Sequence, residues 1–122
     1  MRYGLDAVAR ILVVDDDSQF RRVLRIALTA SGHQVCEAAN GFEALSKVRA
    51  SPLDLVLLDW QMPGMAGEET CRAMRRFSRA PIIVVSALDR SREAAAYGLD
   101  GSLTKPVEID VLLGRIDSAL RH

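Results

Sequence analysis

The sequence predicts an α/β fold, a doubly wound sheet of five parallel strands with helices on both faces. Three observations predict it. Short β-branched or leucine-rich runs alternate strictly with stretches of helical periodicity, five times over. The connections are short, which suits parallel strands joined by right-handed crossovers. At 122 residues, 49% of them hydrophobic, the chain fits one domain with one core that needs neither disulfides nor metals to hold it.

Residues 1–9 have no periodicity and read as an N-terminal extension to a domain over 10–122. Arg10 to Val14 is a continuous β-branched run, as a central parallel strand requires, and it enters Asp15-Asp16-Asp17. From Gln19 to Ala30, Phe20, Val23, Leu24, Ala27 and Leu28 recur at the spacing of an amphipathic helix, with Arg21, Arg22 and Arg25 mostly outside the stripe. Ser31-Gly32 stops it. Gln34 to Ala38 is a short strand, and Asn40-Gly41 turns into a second helix outlined by Phe42, Leu45 and Val48, ending near Ser51-Pro52.

Leu55 to Leu58 is a strand apolar on both faces that ends abruptly in Asp59, with Pro63-Gly64 soon after. A third helix follows from about Glu68 to Phe77, its inner side Cys71, Met74 and Phe77, with acids in its first turn and arginines at its end, as the helix dipole favours. Ile82 to Val85 is a fourth buried strand, ending in Ser86-Ala87. Ser91 to Tyr97 allows only a short helix, Gly101 to Thr104 is a weak fifth strand ending at Lys105-Pro106, and Ile109, Leu112, Leu113, Ile116 and Leu120 share one face of a closing helix.

Composition excludes several roles. The formal net charge is +0 with a pI near 6.7, so nothing suggests attachment to nucleic acid or a membrane surface. No apolar run is long enough to span a bilayer, and MRYGLDAVAR lacks the apolar centre of a signal peptide, so a cytoplasmic location is the simplest expectation. Cys36 and Cys71 have neither pairing nor CxxC spacing and read as small buried hydrophobes. His33, in a turn, reads as solvated, and Asp17 as the cap of the first helix.

In open parallel sheets ligands bind at the carboxyl ends of the strands, and Asp15, Asp16, Asp59, Ser86 and Lys105 all stand at such ends. A lone aspartate there reads as a turn or cap residue. Three carboxylates in one crevice repel one another unless a cation sits among them, and hard oxygen ligands suit Mg²⁺. Lys105 adds a compact positive charge and Ser86 a donor, as phosphoryl oxygens require. Asp59, with the most apolar strand behind it, is the best candidate nucleophile. Arginine outnumbers lysine fourteen to two, yet a lysine precedes Pro106, where a flexible point charge is preferred.

With ILVVDDDS, VLLDWQMPGMAG, IIVVSA and LTKP in order and near the family's spacing, the chain from about Arg10 to Arg121 resembles the receiver domain of two-component response regulators. The resemblance implies a flavodoxin-like sheet of order 2-1-3-4-5. It makes Asp59 the phosphoacceptor, fed by a histidine kinase or histidine phosphotransfer protein. Asp16 would bind Mg²⁺, or Mn²⁺ in its place, directly and Asp15 through water. Asp59 and the main-chain carbonyl of Gln61 would complete the protein's ligands. Ser86 and the Ala87 amide would meet the phosphoryl oxygens, and Lys105, before a cis bond to Pro106, would pair with their charge. Such domains modify themselves rather than turn over an external substrate, and they can pair as homodimers through the fourth helix, fifth strand and fifth helix.

Two departures concern the output side. Receivers usually carry an aromatic three residues before the lysine; this chain has Ser102, which cannot fill the space of a ring. The segment between Ser86 and Gly98 is about one helical turn short. An atypical output face is therefore expected, with Tyr97 the nearest aromatic and a packed helix-end tyrosine its simpler reading. Leu88, two beyond the hydroxyl residue, cannot orient a hydrolytic water. Two other functions compete: an unphosphorylated interaction module, and a haloacid dehalogenase-like phosphatase using Asp15 of Asp15-x-Asp17, which the short chain and Asp59 disfavour.

Overall fold

A computed structural model describes residues 8–121. The strands are β1 (Arg10–Val14), β2 (Gln34–Ala38), β3 (Leu55–Leu58), β4 (Ile82–Ser86) and β5 (Gly101–Thr104). Alternating with them are α1 (Ser18–Ala30), α2 (Gly41–Ala50), α3 (Gly67–Met74), α4 (Ser91–Ala96) and α5 (Ile109–Leu120). All four strand pairings are parallel and the sheet order is β2-β1-β3-β4-β5. Of the segment read as an extension only residues 8 and 9 are described, and Ala9 is fully buried.

Side chains alternate across each strand, so one sheet creates two apolar layers rather than the single core expected. Ile11, Val13, Leu55, Leu57, Ile83 and Val85 pack with Leu24 and Leu28 of α1 and Leu112 and Ile116 of α5. Leu12, Val14, Val56, Leu58 and Ile82 face the other way, onto Ala44 and Val48 of α2 and Cys71 and Met74 of α3. The helix starts follow local chemistry. Asp17 caps α1, its Oδ1 accepting from the Gln19 and Phe20 amides at 2.9 and 3.2 Å, and Asn40 caps α2 through the Glu43 amide at 2.9 Å.

Several helix faces are rotated from the periodic reading. Val23 and Phe42 are more than half exposed, and α2 turns Gly41, Ala44 and Val48 inward. Phe77 lies beyond the end of α3 and is exposed, with the Arg49 guanidinium over its ring at 5.2 Å. His33 is half-buried and its Nδ1 accepts from the Ala9 amide at 3.3 Å, so it is a structural residue rather than a solvated one. Cys71 is buried, which pushes its thiol pKa up to about 11, and the half-buried Cys36 donates to the Ile11 carbonyl at 3.7 Å.

Candidate functional site

β1 and β3 lie side by side at the centre of the sheet, with Val14 opposite Leu58. The residue after each, Asp15 and Asp59, is therefore delivered to the same edge, and the Asp59 amide donates back to the Val14 carbonyl at 2.9 Å. Asp15 and Asp59 are buried, at 2% and 7% exposure, while Asp16 is open to solvent. Carboxylate oxygens of the three lie within 4.8 Å of one another. β4 ends in Ser86, fully buried, and Ala87 beside it is exposed. The Lys105 amide donates to the Ser86 carbonyl at 2.8 Å, which brings the lysine from β5 to this edge. Its peptide bond to Pro106 is cis.

Lys105 Nζ donates to Asp15 Oδ2 at 2.7 Å, stands 3.6 Å from Asp59 Oδ2, and lies 4.3 Å from the centroid of the Phe20 ring. Burial works to lower the lysine's pKa, but its hydrogen bond to Asp15 and the charges of Asp15 and Asp59 leave it raised, so it stays protonated. Asp59 shows the reverse balance. Burial first, and then the Asp15 charge, raise its pKa against Lys105, the Gln61 amide and the nearby Ser86 hydroxyl. That amide donates to Asp59 Oδ1 at 3.2 Å, and Gln61 itself is exposed. The Ser86 hydroxyl makes no hydrogen bond of good geometry and remains a buried donor.

These features fit a hard divalent cation. Three clustered acids face one lysine, so negative charge is in excess, and the buried Ser86 hydroxyl is left to meet an oxygen-rich ligand. The sequence did not single out Arg21 or Phe20 for the site. Arg21 donates to the Asp15 carbonyl at 2.6 Å and to Glu37 at 2.9 Å, tying α1 to the end of β1, while Phe20 underlies the lysine. A charged residue next to the apolar stripe of α1 was the available signal for Arg21.

On the other flank, Trp60 follows Asp59 and its ring lies 5.7 Å from that of Tyr97, tilted by 47°. The Tyr97 hydroxyl donates to Glu68, and Arg72 stands over the same ring at 5.8 Å. Tyr97 is thus committed to the α3 side and packs as the end residue of α4. The expected shortness of α4 is present: it has six residues and no side-chain cap.

A doubly wound parallel sheet that gathers three acids, a hydroxyl and a lysine at one carboxyl edge defines a signalling domain of the two-component class. The chain belongs to the response regulator receiver domain family, whose model matches residues 11–117. It is 40% identical over 115 residues to the transcriptional regulatory protein KdpE of Mycobacterium tuberculosis, covering 92% of this chain and 51% of that protein. To the transcriptional regulatory protein AfsQ1 of Streptomyces coelicolor it is 37% identical, with the same shares covered. The chain spans about half the length of these relatives.

Among solved structures, a CheY-like receiver domain protein from Methanospirillum hungatei matches with a TM-score of 0.88 and 29% identity, over 94% of this chain and 95% of that one. The response regulator TrrA from Thermotoga maritima, solved in complex with Mg²⁺-BeF, matches at 0.82 and 34%, over 91% and 98%. No described helix is long and apolar enough to cross a membrane.

Proposed function

We propose that Asp59 accepts a phosphoryl group from a histidine kinase or histidine phosphotransfer protein and that the resulting acyl phosphate is the chain's signalling state. One observation carries this reading: a buried nucleophile-type carboxylate lies among two more acids, with Lys105 Nζ 2.7 Å from Asp15 and 3.6 Å from Asp59. An Asp59 oxygen attacks phosphorus, the phosphorus–nitrogen bond to the donor histidine breaks, and the imidazole keeps the electron pair. Asp15, Asp16, Asp59 and the Gln61 carbonyl would hold Mg²⁺, or Mn²⁺ in its place, which would neutralise the charge of the reacting oxygens. Ser86 and the Ala87 amide donate to the phosphoryl oxygens, and Lys105 pairs with their charge. The chain catalyses its own phosphorylation and dephosphorylation and no other turnover.

The domain over 10–122 acts in the cytoplasm, and it does not touch nucleic acid or membrane directly. Its curated relatives are transcriptional regulators about twice as long, which supports output through a longer regulator. Ser102, the six-residue α4 and a Tyr97 held on the α3 side favour an atypical output face, with homodimers through α4, β5 and α5 as its form. Leu88 is 54% exposed and has no group to orient water, which favours a phosphoryl lifetime that is not among the shortest, and decay within seconds in purified protein would overturn this.

Acetyl phosphate with Mg²⁺, followed by intact-mass measurement of wild type and Asp59→Asn, tests the reading. One added phosphoryl group, lost in the variant, is expected. A group retained in Asp59→Asn and lost in Asp15→Asn selects the phosphatase, and no added group selects the unphosphorylated interaction module.

A further inference from the structure

We infer that Phe20 is a positioning residue for phosphoryl transfer, the face of its ring seating the Lys105 ammonium beside Asp15 and Asp59. This rests on Asp59 being the phosphoacceptor. The contact joins two elements far apart in the chain, each fixed independently. Asp17 caps α1 and accepts from the Phe20 amide at 3.2 Å, which sets the first turn of the helix and with it the root of the Phe20 side chain. The half-buried Phe20 packs against the apolar layer that α1 and α5 share with the sheet. The Lys105 backbone arrives from β5, its amide donating to the Ser86 carbonyl at 2.8 Å.

Beyond that backbone the lysine is a flexible stem, and its charged end is placed by what surrounds it. Nζ stands 2.7 Å from Asp15 Oδ2 and 3.6 Å from Asp59 Oδ2, so the carboxylates draw it toward Asp15. The Phe20 centroid lies 4.3 Å from the same Nζ, so the ring receives the ammonium itself and not only the apolar stem. A ring face attracts a cation through its charge and takes up none of its N–H donors. All three donors are left for oxygens, and the ammonium turns them toward a phosphoryl group on Asp59 while keeping its seat. A leucine at position 20 would fill apolar space against the core but offer the charge no such face.

Intact-mass time courses with acetyl phosphate and Mg²⁺ test this on wild type, Phe20→Leu and Phe20→Tyr, and on Phe20→Leu combined with Lys105→Met. The rate is expected to fall about fivefold in Phe20→Leu, the size of one cation–π contact at a partly solvated site, and to stay within about twofold of wild type in Phe20→Tyr. In the Lys105→Met background Phe20→Leu should cost less than about twofold, because a residue that acts through the lysine has nothing left to position. A merely structural role would slow both backgrounds alike.

A second readout needs neither a variant nor the reaction. In NMR spectra of the wild-type protein without Mg²⁺, the Lys105 Hε protons, shielded by the ring, should resonate upfield of those of Lys47, the other lysine of the chain. An unchanged rate in Phe20→Leu, equal falls in the two backgrounds, a Phe20→Tyr rate as low as that of Phe20→Leu, or Lys105 Hε protons at the position of those of Lys47 overturns the role of Phe20 alone. Absence of phosphorylation in wild type overturns both this inference and the phosphoacceptor reading.

Discussion

Ser86 and Ser102 stand on neighbouring strands, each with a buried hydroxyl that makes no hydrogen bond of good geometry among the described residues, yet the regions they belong to are built differently. Ser86 ends a strand buried at every position and paired on both sides, next to a carboxylate pair and a lysine. Ser102 lies on the four-residue edge strand, where only Leu103 is buried, beside a helix of six residues. The central edge is over-determined by packing, so an unpaired donor there is positioned for a ligand. At the thin edge the same hydroxyl has no such neighbours, and the positional role of an aromatic ring has no occupant. On the proposed function, chemistry falls to strands buried at every position and the relay of its consequence to the strand with the fewest buried positions.

The largest expected effect breaks the central region. Lys105→Met removes the cation that pairs with both Asp15 and Asp59, and phosphorylation by acetyl phosphate should slow by about 100-fold or more in an intact-mass time course. A rate near that of wild type would mean that the edge is not organised around its charge balance.

Gly67→Ala tests how tightly the Trp60 flank is packed. A Cβ at this position would stand 2.5 Å from Trp60 Cδ2 and 2.8 Å from the Trp60 carbonyl oxygen, so a cost of about 2 kcal/mol is expected in denaturant unfolding. Gly114→Ala, in α5 with open space around it, should instead gain up to about 1 kcal/mol. Similar costs at the two positions would contradict the packing described.

The serine pair sharpens the comparison itself. Ser86→Ala should slow phosphorylation about tenfold, whereas Ser102→Ala should leave the rate alone and hold or slightly raise Tm, because it removes a buried hydroxyl without a partner. Equal rate effects would erase the distinction between the two edges.

The smallest effect is a pH dependence. Burial and Asp15 raise the folded-state pKa of Asp59 above its ordinary 3.8. Below that value both states are protonated and Asp59 costs nothing. As pH rises through the window up to the raised pKa, the folded state holds a proton that the unfolded chain has released, and stability falls. The full deficit is present at neutral pH. Asp59→Asn should therefore raise Tm by roughly a few degrees at pH 7 without Mg²⁺, the gain vanishing below about pH 4. A gain independent of pH would assign the effect to packing instead.

Much of the site was legible because a parallel strand has one direction: once Leu12-Val13-Val14 and Leu55 to Leu58 read as strands, Asp15 and Asp59 had to emerge at the same edge. The capping role of Asp17, the shortness of α4 and the α/β class followed from equally local signals, because they depend on neighbours within a few residues. Tertiary structure decided the rest. Periodicity names the apolar stripe of a helix but not how much of it a neighbour covers, so Val23, Phe42 and Phe77 fit the inward stripe by spacing yet lie exposed. Contacts between distant segments are set by how helices cross the sheet. The seat of Lys105 on Phe20, the tie of Arg21 to Asp15 and the turn of Tyr97 toward Glu68 each join residues from different elements, which no spacing within one element could announce.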